Sequence, residues 1–156
     1  MEKFVGFFRS VTYLFFTIAL FWSYAYMVGQ VDYGLGTDTN PNDIIDKDLY
    51  FYGSIIIFLI VNLSLGWFIK SLKKVRSVEG GTGIRNRAFR LDMIVWFKGL
   101  AGVLNLMMAL FLFFIGLMNI SESRDAMTLN FYIYLGPTAL VGWFLYLIVL
   151  LTKKRS

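Results

Sequence analysis

Four long apolar blocks alternate with polar segments along the chain. They cover about residues 10–29, 52–69, 93–118 and 132–151. Each is close to the roughly 20 residues that carry an α-helix across roughly 30 Å of hydrocarbon. The third is longer, which predicts tilt or projection from one surface. Inside a bilayer every backbone N–H and C=O must be paired within its own segment, so such blocks cross as helices. The pattern predicts an all-α, polytopic membrane protein, a single domain over residues 1–156 built as a four-transmembrane-helix bundle. Segment 30–51 lies on one side and segment 70–92 on the other.

The third block contains two polar residues, Lys98 and Asn105, inside VWFKGLAGVLNLMMALFLFFIG. At helical spacing Lys98, Gly102, Asn105, Ala109 and Gly116 fall within about 60° of arc. Small side chains admit a neighbouring helix, so this stripe is expected to be a protein-facing seam with both polar groups along it. The long stem of Lys98 can carry its ammonium toward the interface, which lowers a cost of roughly 2.5–3.5 kcal/mol at mid-membrane. Asp92 or a helix-end carbonyl is its expected partner. Asn62 in the second block shares a face with Ile55, Phe58, Gly66 and Ile69. The second and third spans run in opposite directions, which brings Asn62 and Asn105 to similar depth. Both are expected to face the interior and pair, a bond worth about 0.6 to 2 kcal/mol.

The other spans have similar stripes: Thr12, Phe16, Ala19 and Ser23 in the first, and Ala139, Gly142 and Tyr146 in the fourth, with Tyr132 above them. Gly136-Pro137 predicts a late start or a kink in the fourth span. Trp67 and Trp96 fit an inner interfacial belt and Trp22 the outer side, whereas Trp143 is too central for that role.

Charge sets the direction of threading. Segment 70–92 holds Lys70, Lys73, Lys74, Arg76, Arg85, Arg87 and Arg90 against Glu79 and Asp92. Lys3 and Arg9 precede the first block, and Lys153, Lys154 and Arg155 follow the last. Between the first two blocks stand Asp32, Asp38, Asp43, Asp46 and Asp48 with only Lys47. The positive-inside bias therefore places both termini in the cytoplasm. A cleavable signal ending near Ser23-Tyr24-Ala25 is disfavoured, because the apolar stretch is long and large aromatics crowd that site.

The loops add little chemistry. Asp38-Thr39-Asn40-Pro41-Asn42 opens like a calcium loop, but Asp43 stands where glycine is required and Leu49 where glutamate is required. An Asx/Pro turn is expected there. Asn119-Ile120-Ser121 fits a glycosylation acceptor close to the membrane. KSLKKVRS is expected to continue the second span as a basic helix, and the Gly-rich VEGGTGIRNRAFR to hinge into the third. That stretch lacks the Gly-Lys-Ser/Thr of a phosphate loop and any preceding strand. The seven basic residues of segment 70–92 are expected to form a collar for anionic headgroups, worth about 1 kcal/mol each, or alternatively a docking site for an acidic partner.

Composition narrows the function. Hydrophobic residues make up 58% of the chain and aromatics 19%, more apolar surface than a soluble domain of this size could bury. There is no cysteine and no histidine. Thiolate nucleophiles, disulfide exchange, cysteine-ligated metals and histidine-ligated haem are thereby excluded. The apolar blocks carry neither the glutamate of small proton-coupled exporters nor the spaced arginines of a voltage sensor. No metal, cofactor or nucleic-acid partner is expected, and the lipid bilayer is the expected surrounding. The best-fitting function is a non-catalytic membrane subunit that scaffolds or stabilises a larger complex with other integral subunits or with itself. The alternative is a binding or transport module for a lipid- or quinone-like amphipath, with Lys98, Asn105 and Asn62 lining its pocket. Compact loops and the lack of cysteine point to a bacterial inner membrane.

Overall fold

The computed structural model describes residues 2–27, 29–32, 44–76, 83–119 and 130–152. In chain order the elements are α1 (Glu2–Tyr26), β1 (Gln30–Asp32), β2 (Ile44–Asp46), α2 (Lys47–Lys74), a 3-10 turn (Gly83–Arg85), α3 (Arg87–Asn119) and α4 (Asn130–Thr152). All four helices are long and apolar enough to cross a bilayer, as an integral membrane protein requires.

The helices outrun the apolar blocks because polar residues at their ends still cap and complete turns. At the start of α2 the Asp46 carboxylate accepts from the backbone N–H of Asp48 at 2.8 Å and of Leu49 at 3.4 Å. Its far end carries Lys73 and Lys74, which suit the negative pole of the helix dipole. Asn86 caps α3 in the same way, accepting from Ala88 and Phe89. At 33 residues α3 is about 50 Å long, more than the hydrocarbon needs.

One departure from an all-α chain lies in segment 30–51. β1 and β2 pair antiparallel, with Val31 opposite Ile45. Gly29, at φ 62°, turns the chain out of α1 into this ribbon, a conformation glycine adopts without strain. The Lys47 N–H then closes onto the Gly29 carbonyl at 3.1 Å. Val31 is fully buried and Tyr50 nearly so, so the ribbon caps one end of the core.

Neighbours along the helices fix their directions. A Cβ on Gly102 would come within 2.7 Å of the Phe8 ring, and one on Gly116 within 2.8 Å of Trp22 and 3.0 Å of the Ser23 Cβ. These contacts advance together along both helices, so α1 and α3 run parallel. The buried α1 positions Thr12, Phe16, Ala19 and Ser23 alternate steps of four and three, the spacing of a helix–helix seam. Asn62 beside Asn105 and Tyr50 beside Leu112 make α2 antiparallel to α3. Trp143 beside Trp96 and Gly136 beside Met107 do the same for α4. The Glu2 end of α1 and the Thr152 end of α4 consequently lie at one end of the bundle, together with the 3-10 turn.

The bundle is organised around α3. Within each apolar stretch 56% of α3 is buried, against 6% of α4. α1 packs closely along α3, α4 packs on another side of α3, and α2 touches both α1 and α3. α4 is continuous through Pro137 from Asn130, so the expected late start is not found. Its contact with α3 runs through Gly136 and Trp143, and Gly142 points away with nothing within 4 Å. The Tyr132 side chain, Asp38–Asn42 and the tail 153–156 lie outside the described residues.

Candidate functional site

A polar layer crosses the middle of the bundle. Asn62 donates to Asn105 Oδ1 at 2.8 Å, and Asn105 donates back to Asn62 Oδ1 at 3.3 Å. The remaining Asn62 amide hydrogen goes to the Phe58 carbonyl at 2.9 Å, which fixes the orientation of that side chain because a carbonyl can only accept. Tyr13 on α1 donates its hydroxyl to Asn62 Oδ1 at 2.9 Å. Arg9 donates to the Tyr13 oxygen at 3.0 and 2.6 Å, with its guanidinium carbon 5.3 Å from the Tyr13 ring centre. Four side chains from three helices thus form one chain of hydrogen bonds. Asn105, at the α3 end of that chain, has zero exposure.

The sequence pattern placed the two asparagines but not Tyr13 or Arg9. Tyrosines in an apolar block read as interfacial anchors, and Arg9 fell just outside the first block. The available signal was their i, i+4 spacing on the face bounded by Thr12 and Phe16. Phe58 completes the layer, stacked on Phe16 at 4.0 Å between ring centres and edge-on to Tyr13 at 5.5 Å.

Lys98 stands apart from this layer. Its ammonium pairs with the Glu2 carboxylate at 2.6 Å, at the start of α1, and not with Asp92. The parallel register of α1 on α3 delivers Glu2 to that level, which no pattern local to α3 could reveal. Gly102, Ala109 and Gly116 are buried in the α1–α3 seam. The stripe on α3 is therefore a packing surface whose two polar members meet different partners.

A second clasp joins α3 to α4. The Trp96 indole donates to the Trp143 carbonyl at 3.2 Å, and the Trp143 indole donates to the Trp96 carbonyl at 3.1 Å. A Cβ on Gly99 would overlap the Trp143 ring, so the glycine opens the notch that admits it. Trp96 is only 3% exposed, which corrects its reading as an interfacial anchor. Trp67 does face outward and is exposed.

Of the basic collar, Lys70, Lys73, Lys74, Arg76, Arg85 and Arg87 are exposed. Arg90 is half-buried and donates to the Val75 carbonyl, tying the start of α3 to the end of α2.

The bundle also has a crevice of about 410 Å³ between α2 and α3, next to the hairpin. Phe16, Ile45, Gly53, Ile57, Met108 and Phe111 are among its walls, whereas Lys98, Asn62 and Asn105 are not. No buried side-chain nitrogen or oxygen among the described residues lacks a hydrogen-bond partner. In the polar layer each buried amide oxygen and nitrogen meets another member of the layer, an arrangement that fixes helix register. No protein-family description, curated protein or solved structure matches this chain.

Proposed function

We propose that the chain is a non-catalytic integral membrane subunit that scaffolds or stabilises a larger membrane protein complex, seated in a bacterial inner membrane with both termini in the cytoplasm. The supporting observation is the use made of its glycines. Gly99, Gly102, Gly116 and Gly136 are each filled by a side chain of a neighbouring helix. Gly66 on α2 and Gly142 on α4 have nothing within 4 Å. Around them Leu63, Trp67, Val141 and Leu145 are exposed. Small residues in membrane helices are where another helix comes close, and two such notches on the peripheral helices suit partner helices. The exposed collar at the opposite end from the hairpin suits the anionic cytoplasmic leaflet.

Mild detergent extraction from native membranes tests this reading. Defined integral partners are expected to co-purify in fixed ratio. Gly142→Leu or Gly66→Leu is expected to release them while the isolated protein unfolds at an unchanged temperature. A homogeneous species carrying only lipid, indifferent to both substitutions, would overturn it.

A further inference from the structure

The guanidinium of Arg9 is bonded on one edge only. Of its N–H donors, one on Nε and one on Nη2 go to the Tyr13 oxygen, which spends its own proton on Asn62. Nη1 donates to nothing among the described residues. Since no buried side-chain nitrogen there lacks a partner, Nη1 is reachable from outside the bundle. Glu2, the carboxylate at that end of α1, is taken by Lys98. The free edge of Arg9, Nη1 with the second Nη2 proton, is the fork that grips both oxygens of one carboxylate or phosphate.

Depth decides between those two anions. The Arg9 Cα stands 3.6 Å from where a Cβ on Gly102 would lie. Gly102 is about 13 Å along α3 from the start of its apolar block at residue 93. Helix side chains lean toward the N-terminal end, which for α1 is the near surface. Arg9 turns the other way, to an oxygen one turn deeper, whereas an arginine serving headgroups extends to the surface. Lipid phosphates lie outside the hydrocarbon. Within it, charged side chains pair with one another.

The helices leave room for such a pairing. From Tyr13 toward the hairpin, α1 and α2 are joined by Phe16 on Phe58, Phe21 on Phe51 and Tyr24 on Asp48. Toward Glu2, Gly6 lies two turns from Tyr13 on the same face of α1, and Gly66 one turn from Asn62 on α2. A Cβ at either meets nothing within 4 Å. None of the four apolar blocks contains an aspartate or glutamate, so a second copy of this chain has no carboxylate to offer at that depth.

We propose that Arg9 is the contact for a different integral protein, whose transmembrane helix lies between Gly6 and Gly66 and sets an aspartate or glutamate carboxylate on the guanidinium. This rests on the assembly reading above and names what the partner at Gly66 carries.

The test uses the full chain in phosphatidylcholine vesicles with a dye on an introduced Lys74→Cys. The probe is a leucine–alanine transmembrane peptide of roughly 20 residues, with one glutamate or one glutamine in its cytoplasmic half. Energy transfer at mildly alkaline pH is expected to show the glutamate peptide binding about tenfold more tightly, as a charge-assisted pair supplies. Arg9→Gln is expected to equalise the two peptides, and Arg9→Lys to keep part of the preference. Gly66→Leu is expected to exclude both while Arg9 is intact, and Gly142→Leu to change neither. In native membranes Arg9→Gln is expected to release the co-purifying partner, and a photo-cross-linker at Leu63 to label a span containing aspartate or glutamate. Equal binding of the two peptides would overturn the proposal, as would Arg9-dependent labelling by a photoreactive phosphatidylglycerol in place of a protein span. Partners retained by Arg9→Gln would overturn it too and leave the assembly reading standing, whereas finding no partner at all would end both.

Discussion

Replacing Asn105 with leucine removes two hydrogen bonds at a point where the side chain has no exposure. Asn62 would keep Phe58 and Tyr13 as partners, so the expected loss is about 0.6–2 kcal/mol, read by denaturant unfolding in mild detergent. Replacing both asparagines is expected to cost less than the sum of the single changes, because no lone amide is then stranded. Strict additivity would show that the two amides do not interact. Lys98 and Glu2 behave differently. Glu2 is 63% exposed and the Lys98 stem is flexible, so Glu2→Gln or Lys98→Met should lower the unfolding temperature less than Asn105→Leu does. A larger drop from either would place that pair deeper than its exposure indicates. The asparagine pair was legible because depth follows from counting residues along two opposed spans. The partner of Lys98 was not, since it depends on where a different helix begins.

At the scale of elements, the α3–α4 contact depends on a notch and the ring that fills it. Gly99→Ala forces the Trp143 indole to move and breaks both indole-to-carbonyl bonds, an overpacking expected to cost about 1–3 kcal/mol. Trp143→Phe retains most of the ring and loses one donor, so a drop of about 1 kcal/mol is expected. Gly142→Ala, which faces open space, should be near neutral in the same unfolding measurement. If Gly99→Ala were equally neutral, the clasp would not hold α4. The α3 side of the α1–α3 seam shows in the sequence as Gly102, Ala109 and Gly116 recurring every seven residues on one face, but the helix that fills it does not. Gly99 lies about 100° from Lys98 on the helix and belongs to no repeat, and a tryptophan in a span carries no mark of its partner. The hairpin was hidden for a related reason: its strands are three residues each, shorter than the alternation that identifies a strand.

For the whole molecule, four apolar blocks announce four helices but not which one the others share. The common neighbour is α3, the longest helix, and the stripe along it announced a packed face without naming the helices that pack there. Alternating helix directions put the Glu2 and Thr152 ends beside the basic segment around Arg85, and the acidic hairpin at the opposite end. With lysine and arginine concentrated at one end, threading is strongly biased toward that end remaining in the cytoplasm. The lack of cysteine makes this directly measurable, because any introduced thiol is the only one in the chain. Arg85→Cys and Lys74→Cys, both at exposed positions, are expected to resist a membrane-impermeant maleimide in intact cells and react after lysis. Thr39→Cys, between the hairpin strands, is expected to react in intact cells once any outer envelope is made permeable. The reverse pattern would invert the bundle, leaving the basic collar without its anionic leaflet.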